Sequence, residues 1–135
     1  MKLVPYLNFA GNAEEALNFY KTVLDGNIEM LSRYGDAPMP CEDADKQRVM
    51  HARLVFGNNM IMMSDMPGTY PASPSGCISL SIDMEDPAAM EKAFNQMAEG
   101  GTVTMPLADQ FWGAKFGMLK DKFDISWMFS CELKK

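Results

Sequence analysis

The chain has 135 residues, of which 47% are hydrophobic, 10% aromatic and 22% charged, a composition typical of one globular domain. Lys and Arg number 12 against 18 Asp and Glu, and the resulting net charge of −6 argues against a general nucleic-acid surface, which needs a basic stripe. The apolar runs are shorter than the roughly 18 residues that cross a bilayer, the first residues do not resemble a signal peptide, and the three cysteines form no Cys-x-x-Cys pair. We therefore expect a cytoplasmic protein with reduced thiols.

The first half of the chain predicts a strand, a helix and three further strands. A strand over residues 2–9 precedes Asn12, which is placed to cap a helix with an apolar stripe at helical spacing. Asp25-Gly26 ends this helix. Further strands are predicted over residues 27–34, 47–56 and 60–64, and the last two form a hairpin around Gly57-Asn58-Asn59.

The second half repeats this order after a segment rich in proline and glycine. A strand over residues 77–84 is followed by Asp86-Pro87, a cap and a first-turn proline for a second helix with the stripe Met90, Phe94 and Met97. Three strands follow, at roughly 102–108, 114–119 and 125–131.

The repeat predicts an α+β fold made of two βαβββ modules. Each module alone would bury too little surface to be stable. We expect the modules to join edge to edge into one curved mixed sheet around a concave cavity, with the helices outside. The predicted organisation is a single domain over residues 1–135, with module 1 at about 1–66, a linker at about 67–75 and module 2 at about 76–135.

Several segments resemble a known superfamily. They are Pro5-Tyr6-Leu7-Asn8-Phe9, Met50-His51-Ala52-Arg53-Leu54, Ile61-Met62-Met63-Ser64-Asp65, Gln110-Phe111-Trp112-Gly113 and residues 121–128. With the order of elements, they resemble the vicinal oxygen chelate superfamily, which includes glyoxalase I, extradiol dioxygenases and bleomycin-binding proteins. The resemblance covers essentially the whole chain and is specific for the PhnB-like branch, sometimes labelled ubiquinone methyltransferase-like. It implies a small-molecule ligand and a homodimer.

The resemblance also locates the positions where related proteins hold a metal ion. Members with metal chemistry use His, Gln or Glu at four inward-facing strand positions, which fall here on Pro5, Met62, Cys77 and Met128. Proline has no ligating side chain, and thioethers are soft ligands unsuited to an oxygen- and nitrogen-rich site. One cysteine does not supply the three protein ligands of a catalytic ion. We therefore expect no metal and no other cofactor, and glyoxalase I or extradiol dioxygenase chemistry loses its basis.

The alternation of side chains along each strand predicts which residues line the cavity. The predicted substrate pocket consists of Met62, Ser64, Cys77, Ser79, Ser126, Met128, Phe111 and Trp112. Methionine suits such a wall because its side chain is flexible and polarizable, and the chain has 14 of them. Ile78, Leu80 and Ile82, like Ile125, Trp127 and Phe129, would face the helices. The segment from Asp109 to Gly113 is a packed corner, a pocket rim or a dimer contact.

His51, the only histidine, and Arg53 are the candidate catalytic residues. A two-residue turn at Asn58-Asn59 would place both on the cavity side, and a three-residue turn would reverse them. An imidazole can exchange protons near neutral pH, and a guanidinium binds carboxylate or phosphate. Asp65 and Asp121 are interpreted as turn residues.

The leading functional prediction is a metal-free PhnB-like protein that binds a small organic molecule in a Met- and Ser-lined cavity. One alternative is an isomerase, lyase or transferase-type enzyme in which His51 and Arg53 act as acid/base and anion clamp. Another is a drug-sequestering resistance protein, whose acidic charge would favour cationic drugs. The expected partners are a small-molecule ligand and a second copy of the chain, with neither nucleic acid nor membrane. A methyltransferase is not indicated, because the sequence shows no Gly-rich strand-to-helix loop for a methyl donor.

Overall fold

The protein consists of two compact units, Met1–Ser73 and Pro74–Lys135. A computed structural model describes residues 2–38, 40–68 and 78–133, so Cys77 and most of the expected linker lie outside the described residues. Each unit has one α-helix and one four-stranded mixed sheet, which confirms the α+β class and the two βαβββ modules. The joining of the modules into one curved sheet around a cavity stays a prediction. Neither α-helix of the described chain has the length and apolar character needed to span a membrane.

Unit 1 follows the predicted order of elements. Its elements are β1 (Tyr6–Phe9), α1 (Ala13–Leu24), β2 (Asn27–Arg33), β3 (Val49–Phe56) and β4 (Asn59–Asp65). The strands lie in the order β1-β4-β3-β2, with β1 parallel to β4 and the other pairs antiparallel. The core lies between α1 and one face of this sheet. Its fully buried members include Ala16, Leu17, Tyr20, Ala52, Leu54 and Met63.

The start of α1 is capped by a residue far along the chain. Asn12 occupies the N-cap position, as predicted, but its side chain makes no capping hydrogen bond. The carboxylate of Asp65, at the end of β4, accepts hydrogen bonds instead from the backbone N–H groups of Gly11 at 3.0 Å and Ala13 at 2.8 Å. Its other oxygen accepts from Val49 N–H at 2.9 Å. The interpretation of Asp65 as a turn residue is therefore wrong: it is a buried anchor for α1 and β3.

The β3–β4 hairpin has the predicted turn length at a shifted position. Phe56 pairs with Asn59, so the turn residues are Gly57 and Asn58 rather than Asn58 and Asn59. Gly57 has a φ of 57°, the left-handed conformation that such turns require. A turn at Asn58-Asn59 predicts that Arg53 pairs with Ser64, whereas Arg53 lies opposite Met62, a difference of two residues. Because side chains alternate with period two, this shift leaves every residue on its predicted face.

Unit 2 has the same architecture. Its elements are β5 (Ser79–Asp83), α2 (Pro87–Ala98), β6 (Thr102–Asp109), β7 (Ala114–Lys120) and β8 (Ser126–Glu132), with the strand order β5-β8-β7-β6. The side chain of Asp86 caps α2 as predicted, accepting a hydrogen bond from Ala88 N–H at 3.0 Å. The predicted stripe Met90, Phe94 and Met97 is buried. Phe94 meets Phe129 of β8 edge to face, with ring centroids 5.6 Å apart.

Asp121 organises the turn between β7 and β8. One of its oxygens accepts from the backbone N–H groups of Phe123 at 2.8 Å and Ile125 at 3.1 Å, which confirms the turn assignment. The other accepts from the indole N–H of Trp127 at 2.8 Å. Asp121 is only 3% exposed, so it also anchors the largest side chain of the unit 2 core.

Candidate functional site

Four of the predicted site residues lie on one face of the unit 1 sheet, opposite α1. Residues paired across neighbouring strands point to the same face. Tyr6 on β1 and Arg53 on β3 both pair with Met62 on β4. We call this surface the site face, and its residues are Tyr6, Asn8, His51, Arg53, Met62 and Ser64.

A row of hydrogen bonds crosses the site face from β1 to β2. The Tyr6 hydroxyl lies 3.1 Å from His51 Nδ1, and their rings are 5.7 Å apart with a 38° tilt. Arg53 Nε donates to His51 Nε2 at 3.4 Å, and Arg53 Nη1 donates to Glu29 Oε1 at 3.4 Å. The side chains of Arg53 and Glu29 are 40% and 45% exposed, so their ion pair is weak. The guanidinium therefore keeps N–H donors that a ligand can use.

Ser64 has a partner within the protein. Its hydroxyl donates to Asn8 Oδ1 at 3.1 Å, and Asn8 and Ser64 are neighbours in the β1–β4 register. Ser64 is 8% exposed. It therefore orients the Asn8 amide, and Asn8, which is exposed, is the more accessible of the two.

Tyr6, Asn8 and Glu29 belong to this row and its surroundings but were not among the residues predicted from the sequence. The resemblance assigned Pro5 and Met62 to neighbouring metal positions, but Pro5 precedes β1, and its carbonyl accepts a hydrogen bond from the backbone N–H of Met62 at 3.0 Å. The one-residue difference brings Tyr6 and Asn8 to the site face. The alternation of side chains along β1 and β4 could have predicted that Tyr6 and Asn8 share a face with Met62 and Ser64. No sequence pattern predicted Glu29, because it lies at an irregularity in the β2–β3 pairing.

The residues at the expected metal positions of unit 1 do not fit a metal ion of the superfamily type. Tyr6 replaces Pro5 beside Met62, and the cationic Arg53 lies directly opposite Met62 in the register. A phenol, a thioether and a guanidinium do not make the His/Glu donor set that such ions take. Within residues 2–38, 40–68 and 78–133, no group of three His, Cys, Asp or Glu side chains is arranged to hold a metal.

The other predicted pocket residues that are described belong to unit 2. Ser79 pairs with Ser126, and Ser81 pairs with Met128, on the sheet face opposite the buried Trp127. The predicted alternation along β8 is therefore confirmed. Ile78 is an exception to the predicted alternation on β5, because it precedes the strand and is 75% exposed.

Phe111 and Trp112 lie at the tip of the β6–β7 hairpin. Phe111 is 97% exposed and Trp112 is 54% exposed, so the packed-corner alternative is wrong for the single chain. Trp112 contacts Phe111 and Phe116 edge to face, with ring centroids 5.1 Å and 5.7 Å apart. The pocket rim and the dimer contact stay open as predictions.

Two ionisable groups with shifted pKa values, Glu14 in α1 and Tyr34, lie around the end of β2. Two hydrogen bonds from the Arg33 guanidinium, at 2.9 Å and 2.8 Å, hold the pKa of Glu14 below its usual value. Burial raises the pKa of Tyr34, and the negative charge of Asp65 adds to this effect. The Tyr34 hydroxyl therefore stays protonated and donates to the Asp65 carbonyl at 2.8 Å. These groups stabilise the framework behind the site face.

Comparisons with known proteins agree with this architecture. Protein PA1353 from Pseudomonas aeruginosa is 42% identical, with a TM-score of 0.92 and coverage of 99% of both chains. The putative 3-demethylubiquinone-9 3-methyltransferase, PhnB protein, from Bacillus cereus is 30% identical, with a TM-score of 0.82 and coverage of 97% of this chain and 99% of that chain. Protein YjdN of Escherichia coli is 29% identical over 96% of this chain and 95% of its own length.

A more distant structure shows the fold alone. The glyoxylase/bleomycin resistance protein/dioxygenase domain from Frankia is 15% identical, with a TM-score of 0.69 and coverage of 98% of this chain and 97% of that chain. The family described as 3-demethylubiquinone-9 3-methyltransferase matches residues 1–130. The chain therefore belongs to this PhnB-like family, which has the vicinal oxygen chelate fold.

Proposed function

We propose that the protein binds a small organic molecule on the site face, without a metal ion. The observation that carries this proposal is the row from Tyr6 through His51 and Arg53 to Glu29, with the Met62 thioether beside it. A few directional polar groups next to soft apolar surface are typical of small-molecule sites. Ser79, Ser126, Met128, Phe111, Trp112 and Cys77 stay predicted pocket residues.

The methyltransferase activity in the family name is not carried over to this chain. In Rossmann-type sites, a Gly-rich turn between a strand and a helix holds the nucleotide part of the cofactor. The strand-to-helix connections of the described chain are Ala10-Gly11-Asn12 and Met84-Glu85-Asp86. Neither supplies such a turn, whereas the site face offers hydrogen-bond donors and a thioether.

A fragment screen tests the binding proposal. We expect compounds that raise the melting temperature of the wild-type protein, since binding to the folded state alone stabilises it. Arg53→Ala should abolish or weaken most of these shifts. Lys21→Ala, which removes the same charge from the exposed surface of α1, is the matched control and should keep them. Equal shifts in both variants would contradict a ligand on the site face.

Metal analysis tests the second part of the proposal. Protein purified without a chelator should contain less than stoichiometric transition metal, because the register partners of Met62 are Tyr6 and the cationic Arg53, which do not ligate such ions. A stoichiometric metal that is lost in Met62→Ala would refute the metal-free site.

The hydrogen bond between Tyr6 and His51 favours a second candidate function, acid/base catalysis. A histidine with an oriented ring and an adjacent hydroxyl can transfer protons in an isomerase, lyase or transferase-type reaction. If the protein is an enzyme of this kind, His51→Gln should abolish turnover of a compound from the screen and keep its binding. Turnover that persists in this variant would leave binding as the function.

The homodimer implied by the resemblance stays a proposal, and we place its test at the β6–β7 hairpin tip. Sedimentation velocity of the wild-type protein and of Trp112→Ala should show a dimer that the substitution weakens, because Phe111 and Trp112 expose a large aromatic surface. An unchanged dimer would place the contact elsewhere, and a monomeric wild-type protein would refute the dimer.

A further inference from the structure

The position of His51 between the Arg53 guanidinium and the Tyr6 hydroxyl restricts which of its ring nitrogens is protonated. His51 Nε2 faces Arg53 Nε at 3.4 Å, and His51 Nδ1 faces the Tyr6 hydroxyl at 3.1 Å. A guanidinium is always protonated and has no acceptor atom, so the Arg53 Nε–H must donate to the imidazole. Nε2 therefore carries a lone pair. The neutral ring must then carry its one proton on Nδ1.

This tautomer fixes the direction of the Tyr6 hydroxyl. With a proton on Nδ1, His51 donates and the Tyr6 oxygen accepts, so the phenolic proton points away from the imidazole. Within residues 2–38, 40–68 and 78–133, the structure shows no further hydrogen bond of this hydroxyl. Tyr6 is 45% exposed. The site face thus presents an oriented O–H donor to whatever molecule rests on it.

We infer that the Tyr6 hydroxyl binds an acceptor oxygen of the ligand, and that Arg53 imposes this role through the tautomer of His51. This inference rests on the proposed function and adds the chemical class of the ligand. The ligand has a carbonyl or carboxylate oxygen at Tyr6 and an apolar body against Met62, the register partner of Tyr6. Arg53 is close enough to favour the anionic member of this class.

The tautomer is measured first, without any ligand. Because His51 is the only histidine, selective ¹⁵N labelling gives the signals of one imidazole. At a pH where the ring is neutral, we expect the proton on Nδ1 in the wild-type protein and in the control Arg33→Met. In Arg53→Met, the constraint is lost, and the signals should shift toward the Nε2–H form that unconstrained histidine prefers. An Nε2–H form in the wild-type protein would overturn the inference.

The ligand class is measured with three probes of similar size: benzoate, acetophenone and benzylamine. The first two carry an acceptor oxygen, whereas benzylamine carries only a cationic donor. Benzoate and acetophenone should perturb the His51 signals, and benzylamine should not. Tyr6→Phe keeps the ring and removes the hydroxyl, so it should weaken benzoate binding about tenfold or more, and acetophenone binding about two- to tenfold. Unchanged binding in Tyr6→Phe, or preferred binding of benzylamine, would overturn the inference.

The two proposals fail in different ways. If the fragment screen finds no ligand dependent on Arg53, the proposed function is wrong, while the tautomer of His51 is still decided by the spectrum. If the screen finds ligands but neither benzoate nor acetophenone binds, the ligand class is wrong and the binding function stands.

Discussion

Replacing Asp65 by alanine is the sharpest test of how unit 1 is held together. Its carboxylate is 2% exposed and accepts three backbone hydrogen bonds, from Gly11, Ala13 and Val49. Gly11 is exposed, so water can replace its partner, but Ala13 and Val49 are 0% and 1% exposed. A buried N–H without a partner costs about 1–3 kcal/mol. For the two buried groups together, Asp65→Ala should lower the free energy of unfolding by about 2–6 kcal/mol.

The assay is urea unfolding followed by far-UV circular dichroism. Trp112 and Trp127 both lie in unit 2, so their fluorescence does not report directly on unit 1. Asp86→Ala is the matched control, because it removes a single capping bond at the exposed start of α2 and should cost about 1 kcal/mol. Asn12→Ala removes no capping bond and should cost less still. A loss for Asp65→Ala no larger than for Asp86→Ala would refute the reasoning.

Asp65→Asn keeps the test usable if the alanine variant does not fold. The amide oxygen can still accept from Gly11 and Ala13, but the amide NH₂ then faces the N–H of Val49. One hydrogen bond is lost rather than three, so a loss of about 1–3 kcal/mol is expected. A variant as stable as the wild type would show that the bond to Val49 contributes nothing.

Three further predictions concern other parts of the framework. Gly101→Ala should destabilise the protein severely, since a Cβ there would overlap the Lys120 carbonyl. At Gly57 a Cβ would make only an ordinary contact with Asn59, so Gly57→Ala should cost only about 1 kcal/mol for its left-handed φ. Comparable melting temperatures of the two variants would contradict this difference. Glu14→Gln should cost at most about 1 kcal/mol at neutral pH, because the ion pair is exposed. The pKa of Glu14 is lowered on folding, so its contribution to the free energy of unfolding is present above the pKa of the unfolded state and disappears as the pH falls through the pKa of the folded state. If urea titration in acid still shows a stability difference between Glu14→Gln and the wild type, the ion pair is not its cause. Asp121→Ala should remove the carboxylate acceptor of the buried Trp127 indole N–H and so shift the tryptophan emission. An unchanged emission spectrum would count against this hydrogen bond as an anchor of Trp127.

Much of the fold follows from local patterns in the sequence. The caps, the helical stripes and the hairpin turn each depend on residues close together in the chain. The hairpin shows why the face on which a side chain lies is predicted more reliably than its partner on the neighbouring strand. The observed turn lies one residue before the predicted turn, and each cross-strand partner differs by two residues. His51 and Arg53 still lie on the predicted face, because side chains alternate with a period of two.

The remainder of the site depends on distant parts of the chain. Asn12 has the right residue type for a cap, but Asp65 takes its role once β4 lies beside α1. The approach of Tyr6 to His51 likewise depends on the parallel register of β1 on β4. The prediction placed this register one residue away and so assigned Pro5, rather than Tyr6, to the position beside Met62. Local propensity does not contain such registers, because tertiary packing selects them.

The origin of the α1 cap has a consequence for synthesis on the ribosome. Ala13 and Asp65 are 52 residues apart, so α1 emerges from the ribosome long before the carboxylate that accepts from its first N–H group. The α2 helix carries its cap with it, since Asp86 directly precedes Pro87. The two units thus share an architecture but not an order of assembly. The α2 helix has its capping residue as soon as it is synthesised, whereas the α1 helix gains its capping carboxylate only after β4 has been synthesised.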